Sequence, residues 1–214
     1  MEEKGAIKIM KGEDAIEEME YVIEIMEDKG VYVEKKGRIA YYIGSFKDDD
    51  GTVKIDGNAE LTCIEKSAFA HSGVEKILLT GCSPNIGEKA FEDCGELNAV
   101  IFGELGKDDP AGNLRNLKLS DVERDFTIQA GAFKGCSGLA TLVLPKVPKE
   151  HTLVIEKDAF FGCESLRTVV AICGKIAFTG NPFDGCSDHL TFVCEENSEV
   201  ERFARENGYR SVCV

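Results

Sequence analysis

Five stretches of this chain can be laid over one another. They read CIEKSAFAHSGVEKILL from Cys63, NIGEKAFEDCGELNAVIF from Asn85, TIQAGAFKGCSGLATLVL from Thr127, VIEKDAFFGCESLRTVVA from Val154 and AFTGNPFDGCSDHLTFV from Ala177. The fifth puts Phe178 at the isoleucine position and Pro182 at the alanine, with one extra residue before Leu190. Self-similarity at such a short period marks a solenoid, because one unit is too small to bury its own apolar side and must stack on its neighbours.

The spacing inside a copy says how each coil is bent. In the third copy Ile128, Phe133, Cys136, Leu139, Leu142 and Leu144 are apolar, so from Phe133 the steps are three, three, three and then two. A three-residue step keeps side chains on one edge of a 3₁₀-like turn, and a two-residue step is that of a strand. The expected fold is therefore an α/β solenoid with a parallel sheet on one face and short 3₁₀ or helical turns and loops on the other. Phenylalanine stacks over phenylalanine and cysteine over cysteine. Removing one ladder ring, as in Phe133→Ala, is expected to lower stability by about 3–5 kcal/mol in denaturant unfolding.

These residues resemble the BspA-like leucine-rich-repeat family, whose coil runs Ile, three residues, Ala-Phe, two, Cys, two, Leu, two, Val/Ile, one, Leu/Ile. The likeness covers about Val53 to Val193. It implies a right-handed leucine-rich-repeat coil and a bacterial surface or secreted adhesin that engages host or extracellular-matrix proteins. Two departures stand out. Ser72 replaces the cysteine of the first copy, and the gap from Phe91 to Phe133 is nearly twice the usual period. In that gap Leu114, Leu117 and Leu119 keep the strand half of the pattern, so residues 103–126 are expected to form one degenerate coil carrying a Gly-, Asp- and Pro-containing loop.

Both ends depart from the repeat and are expected to be caps, which divides the chain into 1–45, the array 46–194, and 195–214. At the C-terminus Ser198 and Glu201 form a capping box, Val200, Phe203 and Ala204 define one helical face, and Gly208 stops the helix. At the N-terminus Ala15, Ile16, Met19, Val22, Ile23 and Met26 recur at helical spacing, which predicts an amphipathic helix over 13–28. The β-branched run Tyr21 to Met26 makes a strand the competing assignment. Val31 to Glu34 and Arg38 to Ile43 alternate around Lys35-Lys36-Gly37 and predict a hairpin.

Composition narrows the partners. A net charge of −14 repels phosphate backbones and anionic lipid, so nucleic acid and membrane surfaces are not expected partners. No window approaches the roughly 20 apolar residues of a membrane span, and the N-terminal stretch lacks the layout of a secretory signal. A cytoplasmic location follows if Met1 is the native start, whereas the family resemblance implies secretion or the cell surface. Of nine cysteines, Cys94, Cys136, Cys163 and Cys186 each follow a phenylalanine by three residues and read as a ladder of buried thiols. The others, Cys63, Cys82, Cys173, Cys194 and Cys213, share no metal-ligand spacing.

Chemistry-bearing motifs are sparse, and neither an enzyme nor a cofactor or metal is expected. His71, His151 and His189 belong to no ligand pair, and no nucleophile elbow, Walker loop or dinucleotide fingerprint occurs. Asp48-Asp49-Asp50-Gly51 suggests a calcium loop, but Phe46 and Gly57 fall where its first and last carboxylates belong. The strand face remains. Its outward positions form an apolar row of Leu78, Ile101, Val143, Val170 and Val193, with Lys118 in the degenerate coil. Beside it runs a small or polar row of Lys76, Ala99, Asn116, Thr141, Thr168 and Thr191. Such a stripe is expected to bind a protein partner. Strand propensity alone, or cover by the N-terminal cap or another chain, would give the same pattern.

Overall fold

A computed structural model describes residues 62–81, 84–104, 117–122 and 124–214, together with four earlier strands that are described mainly as backbone. Those four are β1 (Val22–Met26), β2 (Gly30–Glu34), β3 (Arg38–Ile43) and β4 (Thr52–Asp56). Along the array follow β5 (Cys63–Ile64), β6 (Lys76–Thr80), β7 (Asn85–Ile86), β8 (Ala99–Glu104), β9 (Lys118–Leu119) and β10 (Phe126–Ile128). Next come β11 (Thr141–Val143), β12 (Leu153–Ile155), β13 (Thr168–Ala171), β14 (Ile176–Phe178) and β15 (Thr191–Cys194). Helix α1 (Glu199–Glu206) and β16 (Arg210–Cys213) close the chain.

Every coil enters two sheets. The strand half of the repeat builds a wide sheet in the order β4, β6, β8, β11, β13, β15, β16, parallel throughout. The isoleucine positions build a second, narrow parallel sheet, β3, β5, β7, β10, β12, β14, in place of a side made of turns and loops alone. Between the sheets lie the spokes. Phe69, Phe91, Phe133, Phe160 and Phe183 stack nearly face on with centroids 4.7, 4.9, 5.1 and 5.1 Å apart. That interval is the spacing of neighbouring strands, about 4.7–4.9 Å, so each ring repeats the place of the last, one rung on.

Cysteine follows the same rule. Each ladder thiol donates to the phenylalanine carbonyl of the preceding coil, Cys94 to Phe69, Cys136 to Phe91, Cys163 to Phe133 and Cys186 to Phe160, at 3.0–3.3 Å. Where Ser72 replaces cysteine, its hydroxyl lies 3.4 Å from the Cys94 sulfur and keeps the column continuous.

The turn halves are not simple 3₁₀ segments. Lys134 and Cys136 donate to carbonyls three residues back, while the intervening Phe133 and Gly135 donate to Ala159 and Phe161 of the next coil. Reaching outward at every second residue requires a left-handed backbone before the ladder position. Gly135, Gly162 and Gly185 hold it at φ +74, +73 and +71°, and His71 and Asp93 adopt it in the first two coils.

One expectation changes at the N-terminal end. Val22–Met26 is a strand paired antiparallel with β2, so the helix expected over 13–28 gives way there to the β-branched alternative, and residues 13–21 lie outside the described residues. The hairpin of β2 and β3 forms as expected, and β3 continues into the narrow sheet beside β5, so the line drawn at residue 45 follows a strand shared by hairpin and array. The described residues of 103–126 add no rung to the wide sheet between β8 and β11. Thr141 pairs directly with Ala99, and β9 instead returns antiparallel along the end of β8.

At the C-terminus the helix forms as the capping residues dictate. Ser198 Oγ accepts from the Glu201 amide at 3.2 Å, and Glu201 reaches back to the Asn197 amide at 2.7 Å. Val200, Phe203 and Ala204 are buried, and Gly208 has φ +76°. Beyond it β16 extends the wide sheet by one rung, an element absent from the sequence expectation.

Candidate functional site

The outer face of the wide sheet carries the residues singled out by pattern. Its register aligns Leu78, Ile101, Val143, Val170 and Val193 in one column and Lys76, Ala99, Thr141, Thr168 and Thr191 in the next, as expected from the repeat. Continuation onto β16 adds Val212 to the first column and Arg210 to the second. The sequence signal for this rung is the dipeptide Val212-Cys213, which repeats Val193-Cys194.

Accessibility divides the apolar column. Leu78, Ile101 and Val143 are 6, 2 and 0% exposed and are not available to a partner, contrary to expectation. Together with Ala99 they form a second small core outside the sheet, against which Leu117, Leu119 and Val170 pack. Among the described residues the cover is a strap formed by the returning segment 117–122, which carries Leu117 and Leu119. The Ser120 amide donates to the Phe102 carbonyl, the Lys146 amide to Ser120, and the Val122 amide to Lys146. A side chain at Gly103 would put its Cβ 2.5 Å from the Lys118 carbonyl, so glycine permits this close return. Lys118 faces Glu104 across the antiparallel pair and leaves the column, and Asn116 lies outside the described residues.

Beyond the strap the face is open. Val170 and Val193 are half-buried, Val212 is 52% exposed, and Lys76, Thr141, Thr168 and Thr191 are partly accessible. No carboxylate or histidine occupies these two columns from β6 to β16. The exposed stretch offers methyl and hydroxyl contacts with a single terminal arginine.

Reactive groups elsewhere are dispersed. His71 faces Asp93 at 3.7 Å and His151 faces Asp125 at 3.6 Å on separate loops, while His189 is exposed. Among the described residues no group of three or more histidine, cysteine or carboxylate side chains is placed to hold a metal. Cys94, Cys136, Cys163, Cys173, Cys186, Cys194 and Cys213 form no disulfide. Burial pushes the Cys173 thiol up to about 12. Cys163 is also raised, first by its hydrogen bond with Cys186 and then by burial, which removes the thiolate needed for nucleophilic chemistry. The Asp48–Gly51 cluster and Cys82 lie outside the described residues.

Stacked coils, two parallel sheets and an open strand face define a leucine-rich-repeat solenoid. The profile described as BspA type Leucine rich repeat region matches six copies, over residues 41–123 and 108–204, and the chain belongs to that family. No curated protein matches the sequence. Among solved structures, a leucine-rich-repeat protein of T. pallidum is 19% identical with a TM-score of 0.39, and the alignment covers 94% of this chain and 98% of that one. A leucine-rich cell surface protein of Faecalibacterium prausnitzii is 18% identical with a TM-score of 0.34, over 87% of this chain and 55% of that one. Among the described residues no helix is long and apolar enough to cross a membrane.

Proposed function

We propose that this protein is a non-catalytic binding module that recognises another protein on the open half of its wide sheet. The contact surface is built from Val170, Val193 and Val212 flanked by Thr168, Thr191 and Arg210. The observation that carries this reading is the division of the apolar column. Where the strap lies, the valine and its aliphatic neighbours are sealed inside a small core, while the same column emerges at half-buried Val170 and Val193 and runs on to exposed Val212. Recognition proceeds by shape and apolar complementarity, with threonine hydroxyls satisfying the rim. Thr141 and Lys76, beside the strap, complete the polar border.

Membership in the BspA-type family favours a partner among host or extracellular-matrix proteins and a secreted or surface location. Cell fractionation with an antibody to the chain tests the location; recovery only from the cytosol would replace it with a cytosolic scaffold. The test of the surface is capture from serum and matrix extracts by wild type and by a Val170→Lys, Val193→Lys double variant. Loss of a wild-type partner by a variant with an unchanged unfolding midpoint supports the site. Equal capture by both proteins overturns it.

A further inference from the structure

Cys194 and Cys213 are aligned residue for residue on β15 and β16. Both side chains therefore leave the sheet on its inner face, Cys194 fully buried and Cys213 exposed. The Val214 amide donates to the Cys194 carbonyl at 3.0 Å, so the two strands stay paired past this position. Neighbouring strands run about 4.7–4.9 Å apart, inside the roughly 4.4–6.8 Å between Cα atoms that a disulfide spans. The Cys213 thiol is within hydrogen-bonding reach of the Cys194 sulfur and of the Glu201 carboxylate in the first turn of α1.

The ladder thiols are occupied otherwise, each donating to a phenylalanine carbonyl, and buried Cys173 donates to the Pro145 carbonyl. Among the described cysteines Cys213 alone is exposed, so an oxidant meets it first. Desolvation, the Glu201 carboxylate and the Cys194 sulfur hold its thiol above the ordinary range, which suits a slow-forming staple and not a redox catalyst. The cap that such a staple would fasten is lightly held. Eight residues are too few for α1 to persist alone in water, and all four residues of β16 are exposed. Its anchorage is Val200, Ala204 and Phe203, the last lying against Phe178, Phe183 and Phe192.

We propose that Cys194 and Cys213 form a disulfide under oxidising conditions and so fasten the C-terminal cap to the last coil. The oxidant is a small disulfide such as oxidised glutathione. The Cys213 thiolate, its proton lost to solvent, attacks one glutathione sulfur, giving a mixed disulfide and releasing one glutathione thiolate. The Cys194 sulfur then attacks that of Cys213, the bond between them forms, and the second glutathione leaves with the Cys194 proton. Two protein thiols are oxidised and one glutathione disulfide is reduced. The bond closes a loop of about 20 residues around α1. It also fixes the rung bearing Arg210 and Val212, but it does not rest on the proposed valine surface.

The test incubates the reduced chain with oxidised glutathione and maps its peptides by mass spectrometry without reduction. A link joining Cys194 to Cys213 is expected, and amide exchange in α1 and β16 is expected to slow about a hundredfold while β8 and β11 stay unchanged. Cys213→Ser, a substitution at an exposed position, should form no such link and keep the exchange rates of the reduced chain in the same oxidant. Arrest at a glutathione adduct on Cys213, or a link from Cys213 to Cys173, to Cys186 or to a second copy, would overturn the proposal. So would a link joining Cys194 to Cys213 that leaves exchange in α1 as it was.

Discussion

Val143 and Val193 stand in one column of one sheet, two rungs apart, and meet different surroundings. Under Val143 the sheet is two-sided, with the ladder core within and Leu117 and Leu119 without. At Val193 the inner neighbours are equally well packed, as buried Phe192 and Cys194 show, but the outer side is open. Identical residue type, register and strand geometry thus give a structural role in one half and an available surface in the other. What decides is an excursion of the chain, not the repeat itself.

A charge placed at each end of the column separates the halves most sharply. Val143→Lys buries an ammonium with no partner and is expected to destabilise by at least about 3 kcal/mol, read as a lowered denaturant midpoint. A tolerated lysine there would mean that the strap lifts readily and that the column is one continuous surface.

The next test acts on the cover alone. Gly103→Val forces a side chain into the space taken by the Lys118 carbonyl and is expected to cost about 1–3 kcal/mol. Because the ladder core is untouched, the chain should still fold, with Leu78, Ile101 and Val143 newly exposed. Increased binding of a hydrophobic dye at unchanged far-ultraviolet dichroism is the expected sign. An unchanged dye signal would show that Leu117 and Leu119 hold the strap without help from the close return at Gly103.

This division was only half legible in the sequence. Register could be read because each coil repeats its spokes, and five copies agreeing on Phe, four of them also on Cys and Leu, leave one way to stack them. The strap could not. Leu114, Leu117 and Leu119 have the alternation of a rung, and alternation states which side chains are apolar without stating which surface they bury against. A similar ambiguity governs Val22–Met26, whose residues satisfy both helical and strand periods until β2 supplies a pairing partner. The narrow sheet escaped notice because its rungs are two or three residues long, too short for a period to emerge.

The open half has its own support, which a milder substitution tests. Ser198→Ala removes the oxygen that accepts from the Glu201 amide, and loss of such a cap costs about 1 kcal/mol. Fraying is expected in the first turn of α1, seen as faster amide exchange at Glu201 and Arg202. Exchange in β8 and β11, beneath the strap, stays unchanged. Equal acceleration at both places would mean that the two halves unfold as one unit.

The smallest expected change in stability comes from Val193→Lys. On the open half the lysine stem can lie along the threonine column while its ammonium reaches water, so the midpoint should move by no more than about 0.5 kcal/mol. Its informative effect is on recognition, since an ammonium at the centre of an apolar contact must be desolvated without a partner. Val193→Lys therefore inverts the behaviour of Val143→Lys, sparing the fold and removing the interaction. If both lysines lower stability alike, the outer side of β15 is sealed as that of β11 is, and the binding surface must be sought elsewhere on the solenoid.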